Sequence, residues 1–173
     1  MNRPVVAFTS RYGSTRRYAT ALASRFGTPA TKLADLATAS EADPLIVLSP
    51  LYATRIRGRR RIIRAIRSAP GRAALVVVGM SPTDDPGRAT LADALVAASG
   101  RAVATFQLRG DFDPTRLGPL DRALMAVLRS RLRKTPDEPA ARLILAREPI
   151  RFIDESTLDP VVAWANGLTG RET

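Results

Sequence analysis

The sequence predicts an α/β fold: a doubly wound, five-stranded parallel sheet with helices on both faces and an insertion after the fifth strand. Three observations predict it. Apolar runs rich in β-branched residues recur along the 173 residues with helical patterns between them, the alternation that right-handed crossovers impose. Three of those runs are continuously apolar, as expected of strands covered on both faces. The link after the first run is rich in hydroxyls and glycine, which suits the ligand-binding edge of such a sheet.

Each element has its own justification. Val5–Thr9 reads as the first strand, and Ser10-Arg11-Tyr12-Gly13-Ser14-Thr15 turns it into a helix. That helix places Tyr18, Leu22 and Phe26 on one face and stops at Gly27. A short strand near Ala30–Leu33 and a third at Leu45–Ser49 come next. Arg59–Ala69 is a crossover helix with Ile62, Ile63 and Ile66 inward, ended by Pro70-Gly71. Ala73–Met80 is the fourth strand, and Ala89–Ser99 is a helix burying Leu91, Leu95 and Val96 before Gly100. Ala102–Leu108 is the fifth strand.

The alternation then breaks. Gly110–Pro119 holds two glycines and two prolines, Leu120–Leu132 reads as a further helix, and Lys134–Ala140 is a turn region, so an insertion is expected at about 110–140. The alternating Ile150-Arg151-Phe152-Ile153 leads to Ser156 or Thr157 as the cap of a terminal helix carrying Val161, Val162, Trp164 and Leu168. There is no internal repeat or low-complexity linker, so residues 1–173 are expected to form one domain.

Composition narrows the chemistry. The chain has no cysteine and no histidine, which excludes disulfides, thiolate chemistry, cysteine-ligated metals and a Ser-His-Asp triad. No metal is expected, and no catalytic side chain stands out. An enzyme so poor in reactive groups uses carboxylates or leaves the chemistry to a bound cofactor. No apolar stretch approaches the ~20 residues of a membrane span. Met1-Asn2-Arg3-Pro4 runs into a strand rather than a leader, so a cytoplasmic location is expected. The net charge is +11, and the 27 basic residues comprise Lys32, Lys134 and 25 arginines. Such an excess attracts nucleic acid, an acidic membrane surface or a phosphorylated ligand.

The Ser10–Thr15 loop is a natural phosphate cradle, because first-turn amides lack acceptors and sit at the positive end of the helix dipole. It has no G-x-G-x-x-G, and no lysine follows its glycine, so neither a dinucleotide nor a triphosphate fingerprint is present. A site for one phosphate remains, served by the Ser10, Ser14 and Thr15 hydroxyls and amides from Tyr12 to Thr15. Two other strand-end loops belong to the same edge. In Ser49-Pro50-Leu51-Tyr52-Ala53-Thr54, Tyr52 either stacks on a ligand ring or caps the sheet edge. In Gly79-Met80-Ser81-Pro82-Thr83-Asp84-Asp85-Pro86-Gly87, the paired Asp84 and Asp85 fit a solvated turn and helix start better than a metal or acid/base site.

Phe8, Ser10, Gly13 and Thr15 stand on the positions of a strand–aromatic–Thr/Ser-x-x-Gly-x-Thr pattern, and on these residues the chain resembles the flavodoxin-like family. The resemblance implies the strand order 2-1-3-4-5 for the sheet, and FMN as cofactor, its phosphate on Ser10, Arg11, Tyr12, Gly13, Ser14 and Thr15. It implies the ring between Pro50, Leu51, Tyr52 and Ala53 on one side and Ser81, Pro82, Thr83, Asp84 and Asp85 on the other. Within that family the chain is similar to the menaquinone-dependent protoporphyrinogen oxidases, through Arg11, the basic apolar insertion and the return segment Glu148–Ile153. This similarity implies a small-molecule substrate such as a porphyrinogen, its propionates received by Arg55, Arg57 or Arg59, with a quinone or redox protein as electron acceptor. Ala53 stands where those oxidases carry glycine, and the histidine usual nearby is absent.

Two basic segments suggest partners. Arg55, Arg57, Arg59, Arg60, Arg61, Arg64 and Arg67 form the densest charge run, with 60, 64 and 67 on one helix face. A solvated face or an acidic partner fits it better than nucleic acid, since aromatics are 5% and no nucleic-acid motif appears. The insertion carries Leu117, Leu120, Leu124 and Leu128 among Arg116, Arg122, Arg129 and Arg133. This pattern suits peripheral contact with an anionic membrane at the inner face of the cell membrane, or packing within the protein or against a second subunit. The functional expectation is an FMN-dependent oxidoreductase; the alternatives are a cofactor-free flavodoxin-like module for binding or regulation, and an electron carrier, which the positive charge disfavours.

Overall fold

The computed structural model describes residues 3–36, 39–52, 55–133, 145 and 149–167. Two compact units emerge, one formed by Met1–Gly110 with Ile153–Thr173 and the other by Asp111–Phe152.

In the first unit, β1 (Arg3–Phe8), β2 (Ala30–Lys32), β3 (Ala42–Tyr52), β4 (Arg55–Ile56), β5 (Ala73–Gly79) and β6 (Ala104–Arg109) form a sheet ordered β2-β1-β3-β5-β6, with β4 paired to β3. Apart from β4 every pairing is parallel. The predicted order 2-1-3-4-5 is the same path, because the two-residue β4 merely shifts the numbering of the last strands. The fold is the flavodoxin-like doubly wound sheet.

Strand side chains alternate between faces, and the core splits accordingly. Ala7, Leu45, Val47, Leu75 and Val77 pack with Ile62, Ile66 and Leu95 from α2 (Arg59–Ser68) and α3 (Pro86–Ser99). Val6, Phe8, Ile46, Leu48, Val76 and Val78 pack with Tyr18, Leu22 and Val161 from α1 (Ser14–Arg25) and a C-terminal helix spanning Asp159–Ala165. Both faces of the central strands are thus covered, which is why those strands read as unbroken apolar runs.

Three details differ from the sequence reading. The third strand does not stop at Ser49: it continues through Pro50, Leu51 and Tyr52, because Leu51 and Tyr52 pair antiparallel with Ile56 and Arg55. In the third crossover helix, Leu91 and Val96 are only half-buried, and the buried positions are Arg88, Ala92, Leu95 and Ser99. The C-terminal helix is not capped by Ser156 or Thr157. Instead Asp154 accepts from the Ser156 amide and hydroxyl and closes a 3-10 turn, Glu155–Leu158, that leads into it. The expected turn at 134–140 and Leu168 lie outside the described residues.

Part of the arginine excess is structural. Arg101 donates to Ile66, Ala69 and Gly71 carbonyls at the end of α2. Arg67 donates to Ala98 and Ser99 at the end of α3. Arg72 donates to Trp164 and Ala165 at the end of the C-terminal helix, with its guanidinium 5.2 Å from the Trp164 ring centre. Helix C-termini leave carbonyls without partners and carry partial negative charge, so a forked cation from a neighbouring element answers both.

In the second unit, Phe112 and Ile150 exchange backbone hydrogen bonds of 2.9 and 2.7 Å. The Asp111 carboxylate accepts from the Phe152 amide at 2.7 Å, and Asp113 closes a 3-10 turn at Pro114–Arg116. Then α4 spans Pro119–Leu132, with Leu117 and Asp121 buried. Its Leu124, Val127 and Leu128 are exposed by 49, 52 and 36% and share one helical face.

Candidate functional site

The carboxyl ends of the strands gather the residues of interest. Strand order reverses at β1 and β3, and ligands of such sheets bind in the crevice there. A hydroxyl pair sits at this point: Thr9 Oγ1 and Ser49 Oγ are 3.2 Å apart, and Ser49 Oγ donates to the Arg57 carbonyl at 2.7 Å. Thr9 also donates its amide to the Leu48 carbonyl at 3.0 Å. Ser49 is fully buried, so these bonds satisfy it and tie the ends of β1 and β3 to the chain entering α2.

The first loop has the form of an anion cradle. Gly13 occupies the N-cap of α1 with φ of 104°, no side chain among the described residues caps the helix, and its first turn has no acidic residue. The Gly13 amide donates to Ser10 Oγ at 3.2 Å, drawing the loop into a turn. A left-handed backbone at Gly13 is unstrained only without a Cβ. Arg11 and Tyr12 lean toward β3: the Arg11 guanidinium lies 4.6 Å from the Tyr52 ring centre and 5.5 Å from that of Tyr12, and its Nε donates to Tyr12 Oη. Thr15 is buried.

After the third strand's predicted end, Pro50, Leu51 and Tyr52 are strand residues, and Tyr52 stands opposite Arg55 in the antiparallel pair of β3 and β4. Ala53 lies outside the described residues. Arg57 donates its amide to the Pro50 carbonyl at 3.2 Å, and Arg59 opens α2. All three of Arg55, Arg57 and Arg59 are exposed. Of the predicted residues only Gly13 lines a cavity of about 360 Å³, which runs along α1 between Arg16, Arg17, Thr20, Ala21 and Glu155.

The loop after β5 is held by two arginines that the sequence reading missed. Arg88 is 1% exposed. Its Nε donates to Gln107 Oε1 (3.1 Å), its Nη1 to the Ser81 (2.7 Å) and Pro82 (3.4 Å) carbonyls, and its Nη2 to those of Val77 (2.9 Å) and Leu108 (2.7 Å). Arg109 donates to the Met80 carbonyl at 3.1 and 3.3 Å. Burial pulls the Arg88 guanidinium below its usual value; nearby Asp85 opposes this and Arg109 adds to it. Guanidinium remains protonated in proteins regardless. Asp85 caps α3, accepting from the Gly87 amide at 2.8 Å, which is the helix-start role its position suggested. Asp84 is exposed beside it. The only sequence signal for Arg88 was its place in the first turn of a helix with no other basic residue.

These features define a doubly wound α/β protein with a glycine-turned, hydroxyl-bearing loop at the switch point of its sheet. The flavodoxin-domain family model matches residues 5–138, and the chain belongs to that family. Among solved structures it is similar to a protein from Bacteroides uniformis described as a candidate flavoprotein, with 15% identity, TM-score 0.47, and coverage of 63% of this chain and 91% of that one. It is also similar to a flavodoxin from the domain Archaea, with 14% identity, TM-score 0.46, and coverage of 62% and 84%. No curated protein sequence matches.

Proposed function

We propose that the protein binds FMN noncovalently and works as a flavin-dependent oxidoreductase. The observation that carries this reading is the uncapped N-terminus of α1 at Gly13, without an acidic first turn, beside the β1–β3 switch point. The residues present fit the cofactor. Ser10 and the amides of the first turn suit a phosphate, and neither Ser81 nor Thr83 has an acceptor for its amide among the described residues. Those two amides suit the acceptor-rich edge of an isoalloxazine. Tyr52 supplies an aromatic face, and the absence of a lysine in the first loop suits a monophosphate.

FMN supplies two-electron redox chemistry when bound. The chain's residues bind and orient it. In this reading Ser10, Gly13, Ser14 and Thr15 hold the phosphate, with Arg11 and Tyr12 closing the loop toward Tyr52. Pro50, Leu51 and Tyr52 flank the ring on one side and the 81–85 loop on the other. Arg55, Arg57 and Arg59 receive carboxylates of an anionic substrate, for which a porphyrinogen is the candidate that the sequence resemblance implies. A quinone or redox protein takes the electrons. The exposed Leu124, Val127 and Leu128 of α4, on a helix with Arg122, Arg129 and Arg131, support peripheral contact with an anionic membrane. Among the described residues no helix is long and apolar enough to cross a membrane.

Titrating purified protein with FMN, followed by flavin fluorescence quenching and the visible spectrum, tests the reading. Saturable one-to-one binding is expected. In Ser10→Ala/Thr15→Ala it weakens at least about a hundredfold, two charge-assisted bonds to phosphate being lost. Absence of any binding removes the flavin assignment and leaves the cofactor-free module.

A further inference from the structure

Arg88 spans the ends of β5 and β6 and the loop between β5 and α3, yet nothing in the proposed reaction uses it. All five of its acceptors are neutral oxygens: four backbone carbonyls and the Gln107 amide. Among the described residues no carboxylate is hydrogen-bonded to it, so its charge is held chiefly by dipoles, with Asp85 acting on it only through space. Access for it is built in, since a Cβ on Gly79 would lie 3.3 Å from Arg88 Cζ.

Its grip has a directional consequence. In a trans peptide the C=O and N–H point in opposite directions. Arg109 draws the Met80 carbonyl inward, and Arg88 draws those of Ser81 and Pro82. The amides of the peptide units that follow Met80 and Pro82, Ser81 N–H and Thr83 N–H, therefore face away from the guanidiniums. Pro82 has no N–H to offer. The loop presents donors outward and keeps its acceptors turned to the buried cations.

We propose that Arg88 is the positioning residue of this loop: beside Arg109, which orients Ser81 N–H through the Met80 carbonyl, it fixes the outward donor at Thr83, and its charge, neutralised by no hydrogen-bonded carboxylate, favours the reduced, negatively charged state of a flavin bound there. The second half rests on the FMN reading; the first does not. Two variants separate them. Gln107→Glu puts a carboxylate on Arg88 Nε, cancelling the charge while keeping the hydrogen bond and the grip on the carbonyls. Arg88→Lys keeps a charge and loses the fork.

For Gln107→Glu, FMN binding to the oxidised and reduced protein is measured with the midpoint potential. The ratio of reduced to oxidised affinity is expected to fall about tenfold, the size of a partly buried charge interaction, while Gln107→Met stays within about twofold. For Arg88→Lys, hydrogen exchange is followed without flavin. The Asp85 amide, bonded to the Pro82 carbonyl at 3.2 Å, is expected to exchange at least about tenfold faster while β5 amides stay protected. If Arg88→Lys does not fold, Arg88→Gln, which keeps a single donor group and loses the fork, gives the same readout.

An unchanged affinity ratio in Gln107→Glu overturns the charge role. Unchanged Asp85 exchange in the folded variant overturns the positioning role. Failure of the parent protein to bind FMN overturns the charge role together with the flavin reading, and the exchange result then decides positioning alone.

Discussion

Replacing Tyr18 by Phe removes a single oxygen from the first unit, and the structure says what that oxygen holds. The Tyr18 ring is fully buried under the sheet. Its hydroxyl donates to the Arg109 carbonyl at 2.8 Å and accepts from the Asp154 amide at 3.0 Å, joining the end of β6 to the segment that leads into the C-terminal helix. Phenylalanine keeps the packing, so the loss is that of two hydrogen bonds, worth about 1 kcal/mol each, with a further penalty for any group left dry. Asp154 is exposed, so water reaches one of the two abandoned groups. The expected destabilisation is therefore about 2 kcal/mol rather than the larger value for two sealed groups. For a chain of this size that corresponds to a Tm lower by about 4–8 °C. Urea unfolding at neutral pH, with the m-value compared, measures it, and hydrogen exchange localises the loss to residues 109 and 154. A loss below about 0.5 kcal/mol with unchanged m-value would refute the bridging role, because it would mean that water replaces both bonds at no net cost.

Other expectations follow from the same geometry. Gly79→Ala forces a Cβ to within 3.3 Å of both Arg88 Cζ and Leu51 Cβ and should lower stability by about 1–3 kcal/mol in urea melts; an unchanged midpoint would show that the arginine moves freely. The hydrogen bonds from the Ser156 hydroxyl and amide hold the Asp154 carboxyl below its ordinary range. Its folded-state pKa being the lower one, this group adds stability above the unfolded value of about 3.9 and loses it as pH falls through the folded value. Asp154→Ala should therefore lower the Tm at pH 7 and converge with the parent at strongly acid pH. A difference that persists unchanged into strong acid would argue for a purely steric effect. Replacing Leu124, Val127 and Leu128 together by Ser should reduce co-sedimentation with anionic lipid vesicles at least about fivefold, each exposed side chain having contributed apolar area. Equal sedimentation of parent and variant would remove α4 from the membrane reading.

The first loop was legible because its signals are local. Gly13, the flanking hydroxyls and the apolar run before them lie within a few residues, and strand-to-helix conversion with a left-handed glycine depends on that neighbourhood. Tyr52 was recognised as a strand-end aromatic, but its place on β3 was not. Strand extension past Pro50 requires pairing with Ile56 and Arg55 further along the chain, and an apolar pattern does not record it. The arginines show the same divide more sharply. In sequence Arg67, Arg72, Arg88 and Arg101 look like surface charge, yet each ends on backbone carbonyls of another element.

The sequence by itself determined the alternation of strands and helices and the glycine turn that carries β1 into α1. These follow from hydrophobic periodicity, glycine and proline punctuation and the handedness of crossovers, all of which act within tens of residues. Only the tertiary structure decided how the loop after β5 is held. Arg88 reaches carbonyls at Val77 and Leu108 on two strands, and its burial is tolerable only because sheet pairing has already brought those oxygens together. A buried charge must find all its partners at once, and that condition belongs to the assembled sheet rather than to any segment of the chain.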